Sequence, residues 1–180
     1  MNIWFSSDTH FNHAGCIEHS RRPFDCVEDM NAWIVQEFNK KIKHSDTLYH
    51  LGDFCFGKLD DIKKMRYKLN GKIHLILGNH DYKNKIQRLA DCFSEITPLK
   101  VISINKMPIT LCHYSMNVWD RSHYGAWHLY GHSHGRWQGS GKSFDVGVDA
   151  HDFCPWSADE VIAKMATLPD NPNKVDRVRY

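Results

Sequence analysis

Lys72-Ile73-His74-Leu75-Ile76-Leu77-Gly78-Asn79-His80-Asp81 is an apolar run that passes without a linker into a polar turn. A run of four to six residues rich in apolar and β-branched types, stopped by glycine, reads as a buried strand. Working outward, the same pattern recurs twice upstream. Thr47-Leu48-Tyr49-His50-Leu51 runs into Gly52-Asp53, and Asn2-Ile3-Trp4-Phe5-Ser6 runs into Ser7-Asp8-Thr9-His10. Between the runs the period lengthens. Met30, Trp33, Ile34, Phe38 and Ile42 follow helical spacing with Glu28, Asp29, Glu37, Lys40 and Lys41 opposite. A second amphipathic stretch runs from Leu59 through Ile62, Met65 and Arg66 to Leu69, with Asn70-Gly71 expected as its C-cap. Alternating strand and helix predicts an α/β fold with a parallel sheet, whose ligands gather at the C-terminal ends of the strands.

The second half is patterned differently. Lys100–Ile104 and Ile109–Cys112 flank a turn at Asn105-Lys106-Met107-Pro108, which predicts a hairpin or two adjacent strands. Trp127–Tyr130 and Ser143–Val148 are further strand candidates. Ser157 and Glu160 form a capping box for a short helix to about Met165. We expect one domain over residues 1–180, with residues 169–180 a fraying tail.

A chain of 180 residues is long enough to bury a core without disulfides. Its 42% hydrophobic and 24% charged residues exclude disordered, collagenous and coiled-coil classes. The 23 Lys/Arg against 21 Asp/Glu leave +2, too even a balance to argue for nucleic acid or an anionic membrane as partner. No apolar run approaches the roughly 18 residues of a membrane span, and MNIWFSSDTH lacks the basic flank of a signal peptide. Cys16, Cys26, Cys55, Cys92, Cys112 and Cys154 are scattered without a CxxC pair, so free thiols and a cytoplasmic location are expected. Cys55, two residues from Asp53, is the one thiol near chemistry.

Five strand ends deliver Asp8-x-His10, Gly52-Asp53, Gly78-Asn79-His80-Asp81, His113 and Gly131-His132-Ser133-His134. Carboxylate, imidazole and amide oxygen without sulfur suit Mn, Fe, Zn, Co or Ni rather than a thiolate zinc or an all-oxygen calcium site. Any one of these fragments alone reads as an N-cap, a turn or a hydrogen-bonded histidine. Five of them, each directly after an apolar run, point to a metal site. Seven candidate ligands exceed one tetrahedral ion and suit two ions sharing a bridge. In an extended segment an Asp-x-His or His-x-His pair places both side chains on one side, and glycines at 52, 78 and 131 let the backbone come close.

This ordered set resembles the calcineurin-like metallophosphoesterase superfamily over residues 8–134. The resemblance implies a four-layer α/β/β/α sandwich holding two divalent or trivalent metal ions, manganese first, with iron, zinc, nickel or cobalt as alternatives. Carried over, Asp8, His10 and His134 would ligate one ion and Asn79, His113 and His132 the other, with Asp53 bridging. His80 would touch substrate and leaving group. A closer likeness, to small phosphoesterases of bacteria and phages, rests on residues 7–13, Arg22-Pro23-Phe24, residues 127–135 and Val146-Gly147-Val148-Asp149, and extends to about residue 165. Phosphoprotein phosphatases of the superfamily carry an arginine shortly after Gly-Asp. Here the stretch is Phe54-Cys55-Phe56-Gly57, which argues against that activity. Ser115 stands where relatives often have proline.

The resemblance implies hydrolysis of phosphodiesters or small phosphomonoesters by attack of a metal-bridging hydroxide on phosphorus. His80 would protonate the leaving oxygen, held by Asp81 or Asp53; such general-acid help is worth about 10²–10⁴ in rate. His13, Arg21 and Arg22 are candidate substrate-binding residues. Of the aromatics Tyr114, Trp119, Tyr124, Trp127 and Trp137, Trp119 and Tyr124 are favoured for stacking a nucleobase or aryl group. The expected partner is a small phosphate ester or nucleotide. A nuclease with the same chemistry is the alternative, disfavoured by the absence of a basic stripe. An inactive scaffold is disfavoured because every ligand position is filled.

Overall fold

The structure, a computed structural model, describes residues 1–175. Strands β1 (Ile3–Ser6), β2 (Thr47–His50), β3 (Lys72–Ile76) and β4 (Glu95–Thr97) pair in parallel, as the alternation of apolar run and amphipathic helix requires. In the second sheet β5 (Leu99–Ile104) pairs antiparallel with β6 (Met107–Cys112), while β7 (Trp127–Tyr130) and β8 (Ser143–Asp145) continue it in parallel. The hairpin turns at Asn105 and Lys106, both with positive φ (50° and 67°), the backbone of a type I′ turn. The two-residue strand β9 (Trp156–Ser157) closes the first sheet antiparallel to β1, giving the order β4-β3-β2-β1-β9. The second sheet runs β5-β6-β7-β8.

Register decides where the polar loops go. Ser6 pairs with His50 and His50 with Leu75, so β1, β2 and β3 end side by side. In the second sheet Leu111 pairs with Leu129 and Leu129 with Phe144. Each sheet thus delivers its loops to one edge.

The helices are α1 (Ala14–His19), α2 (Val27–Lys41), α3 (Leu59–Lys68), α4 (Asn79–Lys83) and α5 (Ala158–Thr167). Met30, Ile34 and Phe38 of α2, with Ile62 and Met65 of α3, pack with Leu48, Ile73 and Leu75. Trp33, expected on that stripe, is instead half exposed at 49%. The opposite face of the first sheet sends Phe5 and Ile76 against Ile109, Leu111, Leu129 and Phe144, and α5 adds Val161 and Met165. Alternate residues of β1 divide accordingly, Trp4 to the helices and Phe5 to the inter-sheet core. On the far face of the second sheet the cover is largely irregular chain. Trp119 is buried there with its ring 5.3 Å from that of His128. Two sheets with their helices make the mixed α/β sandwich that the family resemblance implies.

Two local expectations change and one holds. Helix α3 ends in an extended Leu69, and Gly71, two residues later, makes the turn at φ +86°. The capping box at Ser157 and Glu160 forms as expected. Residues 169–175 are not a loose tail: Asn171 is buried, donates to the carbonyls of Ser122 and Ala126 and accepts from the Lys142 N–H. The rest of the expected tail, 176–180, lies outside the described residues.

Candidate metal centre

The chain leaving β1, β2, β3, β6 and β7 brings all the expected ligand types to one edge. The loops are stitched together: Asp8 N donates to Gly52 O, His10 N to Asp53 O and Gly131 N to His113 O. The two sheets are joined directly where His132 N donates to Asp8 Oδ2 at 2.8 Å. Backbones approach so closely that a Cβ on Gly52 would stand 2.6 Å from both Gly78 N and His113 Nδ1. Gly52 also has φ +96°, so the position takes glycine for two reasons.

Asp8 Oδ1 lies 3.8 Å from His10 Nε2 and 3.9 Å from His134 Nε2. Asp53 Oδ2 lies 3.6 Å from His10 Nε2 and 3.5 Å from His113 Nε2. These gaps are too long for hydrogen bonds and are near the span between two donors of one ion, each bonded at about 2.1 Å. Asp8, His10 and His134 form one group and Asp53, His113 and His132 another, their donor atoms within 4.8 Å of one another in each. Seven buried side-chain polar atoms among the described residues lack a hydrogen-bond partner, and four are expected ligand atoms: Asp8 Oδ1, His10 Nε2, His113 Nε2 and Asn79 Oδ1. An unpaired buried polar atom costs about 1–3 kcal/mol. Four at one edge therefore fit a cation, and the donor chemistry matches.

The Asp-x-His spacing works by a different geometry from the one expected. Asp8 (φ 56°), His10 (φ 48°), Asp53 (φ 55°), His132 (φ 67°) and His134 (φ 49°) all lie in the left-handed region rather than in extended chain. Each such non-glycine residue stores on the order of 1–3 kcal/mol of strain, which collects at functional sites.

Without a cation the charges are frustrated. Burial pushes the Asp8 carboxyl up to about 7, against the pull of His113 and His134. Burial would raise Asp53 too, but the close approach and charge of His113 and the charge of His10 outweigh it and hold Asp53 well below the usual carboxylate range. Burial would lower His113, yet Asp53 and Asp8 raise it to about 9. Burial drives His10 down to about 2, leaving it neutral, as a ligand must be.

A metal-ligating imidazole needs its other nitrogen anchored, and two of the candidates meet that condition. His113 Nδ1 faces Leu51 O at 2.6 Å, and His134 Nδ1 faces Asp149 Oδ2 at 2.7 Å. Arg22 grips that same Asp149 bidentately, Nε to Oδ1 at 2.8 Å and Nη2 to Oδ2 at 2.7 Å, and donates to the carbonyls of Asp8 and Thr9. Arg22, expected to bind substrate, is therefore a buried strut, since every donor it has is turned inward. Sequence reasoning missed Asp149 as a site residue although its motif was in view. Val146-Gly147-Val148-Asp149 and Arg22-Pro23-Phe24 turn out to be one contact made across 127 residues.

Residues 1–143 match the family model of the calcineurin-like phosphoesterase superfamily domain. The chain belongs to that superfamily. An uncharacterised protein of Methanocaldococcus jannaschii is 32% identical over 175 residues, covering 89% of each chain. The gene 66 protein of Mycobacterium phage L5 is 32% identical over 90 residues, 48% of this chain and 43% of the phage protein. Among solved structures, a protein of unknown function from Aquifex aeolicus superposes with a TM-score of 0.72 at 28% identity, covering 91% of this chain and 98% of its own. An archaeal phosphodiesterase shares the fold at a TM-score of 0.51 and 22% identity, with 82% of each chain covered.

The remaining residues of this calcineurin-like phosphoesterase sort by position. His80 Nε2 lies 3.9 Å from Asp53 Oδ2, and its side chain is 28% exposed. Of the two carboxylates considered for holding it, Asp53 is the neighbour. Asp81 instead accepts from the backbone N–H groups of Asp53, Phe54 and Gly78, pinning two loops together. Trp119, favoured for stacking, is buried, and Tyr124 lies on a separate 3-10 turn over 122–124. The aromatic at the site is Tyr114, exposed and 5.0 Å in ring centroid from both His113 and His132. Cys55 is buried with its thiol pushed up to about 12, which makes it inert at neutral pH. No helix among the described residues is long and apolar enough to cross a membrane.

Proposed function

We propose that this metal-dependent phosphoesterase hydrolyses phosphodiesters or small phosphomonoesters at a centre of two divalent ions. The observation that carries the proposal is the place of Asp53, whose Oδ2 faces His10 of one ligand group at 3.6 Å and His113 of the other at 3.5 Å. A single carboxylate oxygen set between two groups of donors is what a bridge requires. Asp8, His10 and His134 would hold one ion, and Asn79, His113 and His132 the other. All donors are nitrogen or oxygen, which suits manganese and its neighbours. When bound, such a pair supplies Lewis acidity to phosphoryl oxygens and lowers the pKa of water at the site.

The chain's own residues do the rest. Asp8 and Asp53 set the charge of the centre, and the Asp149 and Leu51 contacts fix the imidazoles that face it. His80, on the exposed side of Asp53, delivers a proton to the departing ester oxygen. Tyr114 and the exposed His132 line the rim where an ester group lies.

The test is hydrolysis by the chelated protein reloaded with Mn, Ni or Zn. The substrates are bis-p-nitrophenyl phosphate, p-nitrophenyl phosphate and cyclic nucleotides. Turnover that needs metal and stops with chelator is expected on at least one ester. No hydrolysis of any of them with any metal sinks the proposal.

A further inference from the structure

His13 stands beside the metal centre without lining up with its donors. Its Nδ1 lies 3.1 Å from Nδ1 of His10, and the two rings are tilted by 37° with centroids 5.2 Å apart. Two imidazole nitrogens at that distance share one proton, one donating and one accepting. A neutral histidine that ligates through Nε2 carries its proton on Nδ1, so His10 is the donor and His13 the acceptor. The corresponding anchors of His113 and His134 are oxygens, of Leu51 and Asp149. The acceptor ring is itself held firmly. His13 lies flat on Phe56, 3.7 Å between centroids and 12° between planes, and Phe56 also meets His80 at 4.7 Å and His10 at 5.7 Å. The other nitrogen of His13 is on the α1 side: a Cβ on Gly15 would stand 3.5 Å from Nε2.

We propose that His13 is a positioning residue for His10, accepting its Nδ1 proton and so fixing the tautomer and ring angle that present Nε2 to a metal ion. This rests on the reading of His10 as a ligand given above. It replaces the expectation of His13 as a substrate contact, and it gives Phe56 a role where other branches of the superfamily place an arginine nearby. Removing such an outer partner of a metal-bound histidine costs 10–100-fold in affinity. A competing arrangement exists, because His10, His13 and Cys16 also bring donor atoms within 4.8 Å. An ion there would need His10 deprotonated at both nitrogens while Nε2 ligates the first group.

The experiment is a Mn²⁺ titration of chelated protein, with free ion followed by electron paramagnetic resonance. Wild type, His13→Ala, His13→Asn and His10→Ala are compared. His13→Ala is expected to weaken one binding step by about 10–100-fold and leave the other unchanged. His13→Asn, whose Oδ1 accepts from about the same place, recovers most of that loss. KM for bis-p-nitrophenyl phosphate at saturating Mn²⁺ stays at the wild-type value in His13→Ala. Wild-type Mn²⁺ affinity with a raised KM makes His13 a substrate contact and overturns the proposal. A third ion bound by wild type and lost in His13→Ala makes His13 a ligand and also overturns it. If His10→Ala binds metal as wild type does, His10 is no ligand, and the underlying reading falls with the proposal. Should His13→Ala not fold, His13→Leu, bulky against Phe56 but without an acceptor, is set against His13→Asn with the same expected difference.

Discussion

As proposed ligands, Asp8 and His113 hold protons that a metal ion would displace. Burial raises the Asp8 carboxyl to about 7, and Asp53 and Asp8 raise His113 to about 9. Both groups ligate only when deprotonated, so the metal-free site is closed to cations by its own protons at low pH. The sign follows: affinity rises with pH across roughly 6–9, and binding at neutral pH releases protons. Calorimetric titration of Mn²⁺ in buffers of different ionisation enthalpy measures that release; an affinity that does not change between pH 6 and 9 contradicts these protonation states. His80 answers a separate question at the same scale. His80→Ala is expected to keep its metal content and lose about 10²–10⁴ in rate on esters with alkyl-like leaving groups, while p-nitrophenyl esters, which need little protonation, lose distinctly less. Equal losses on both classes would assign His80 to phosphate binding instead.

Between strands and loops, the joints matter more than the elements. Asp81 sits in α4 and accepts three backbone N–H groups from two loops, Asp53, Phe54 and Gly78, at 2.8–3.0 Å. Replacing it with alanine leaves those donors buried and unpaired, each worth about 1–3 kcal/mol. Asp81→Ala is therefore expected to lower stability by about 3 kcal/mol or more and loosen the loop that carries Asp53. Urea unfolding of the metal-free protein measures it, and a loss under about 1 kcal/mol would show that the loops hold without it. Helix α2 was legible because its 15 residues hold several repeats of the helical period, and β1, β2 and β3 because each is an apolar run stopped by a polar turn. The short ones left too few repeats. Helix α1 has six residues, α4 has five, β4 three and β9 two. Ser157 carried a capping signal strong enough to be read, yet it also ends β9, which no local pattern marks.

The whole molecule explains why the ligand types could be read and their supports could not. Parallel strands in register end at one edge, so a polar residue after each apolar run is predictable from the runs alone. Asp149 and Arg22 meet across 127 residues, and their pairing depends on how β8 and α1 come to lie beside that edge. Arg22 consequently reads as a substrate-binding cation in sequence and is a buried strut in the fold. The left-handed backbone at Asp8, His10, Asp53, His132 and His134 likewise goes unmarked in the sequence, because Asp and His enter that region more readily than most residues but only in a minority of cases. The function proposed above makes Asp53 the residue shared by two ions. The most direct test is anomalous diffraction from crystals of the Mn²⁺-loaded protein. Two peaks about 3.5–4 Å apart are expected, one beside Asp8, His10 and His134 and the other beside Asn79, His113 and His132, with Asp53 touching both. A single fully occupied peak held by fewer than five of these residues, or a pair that Asp53 does not bridge, would contradict the account.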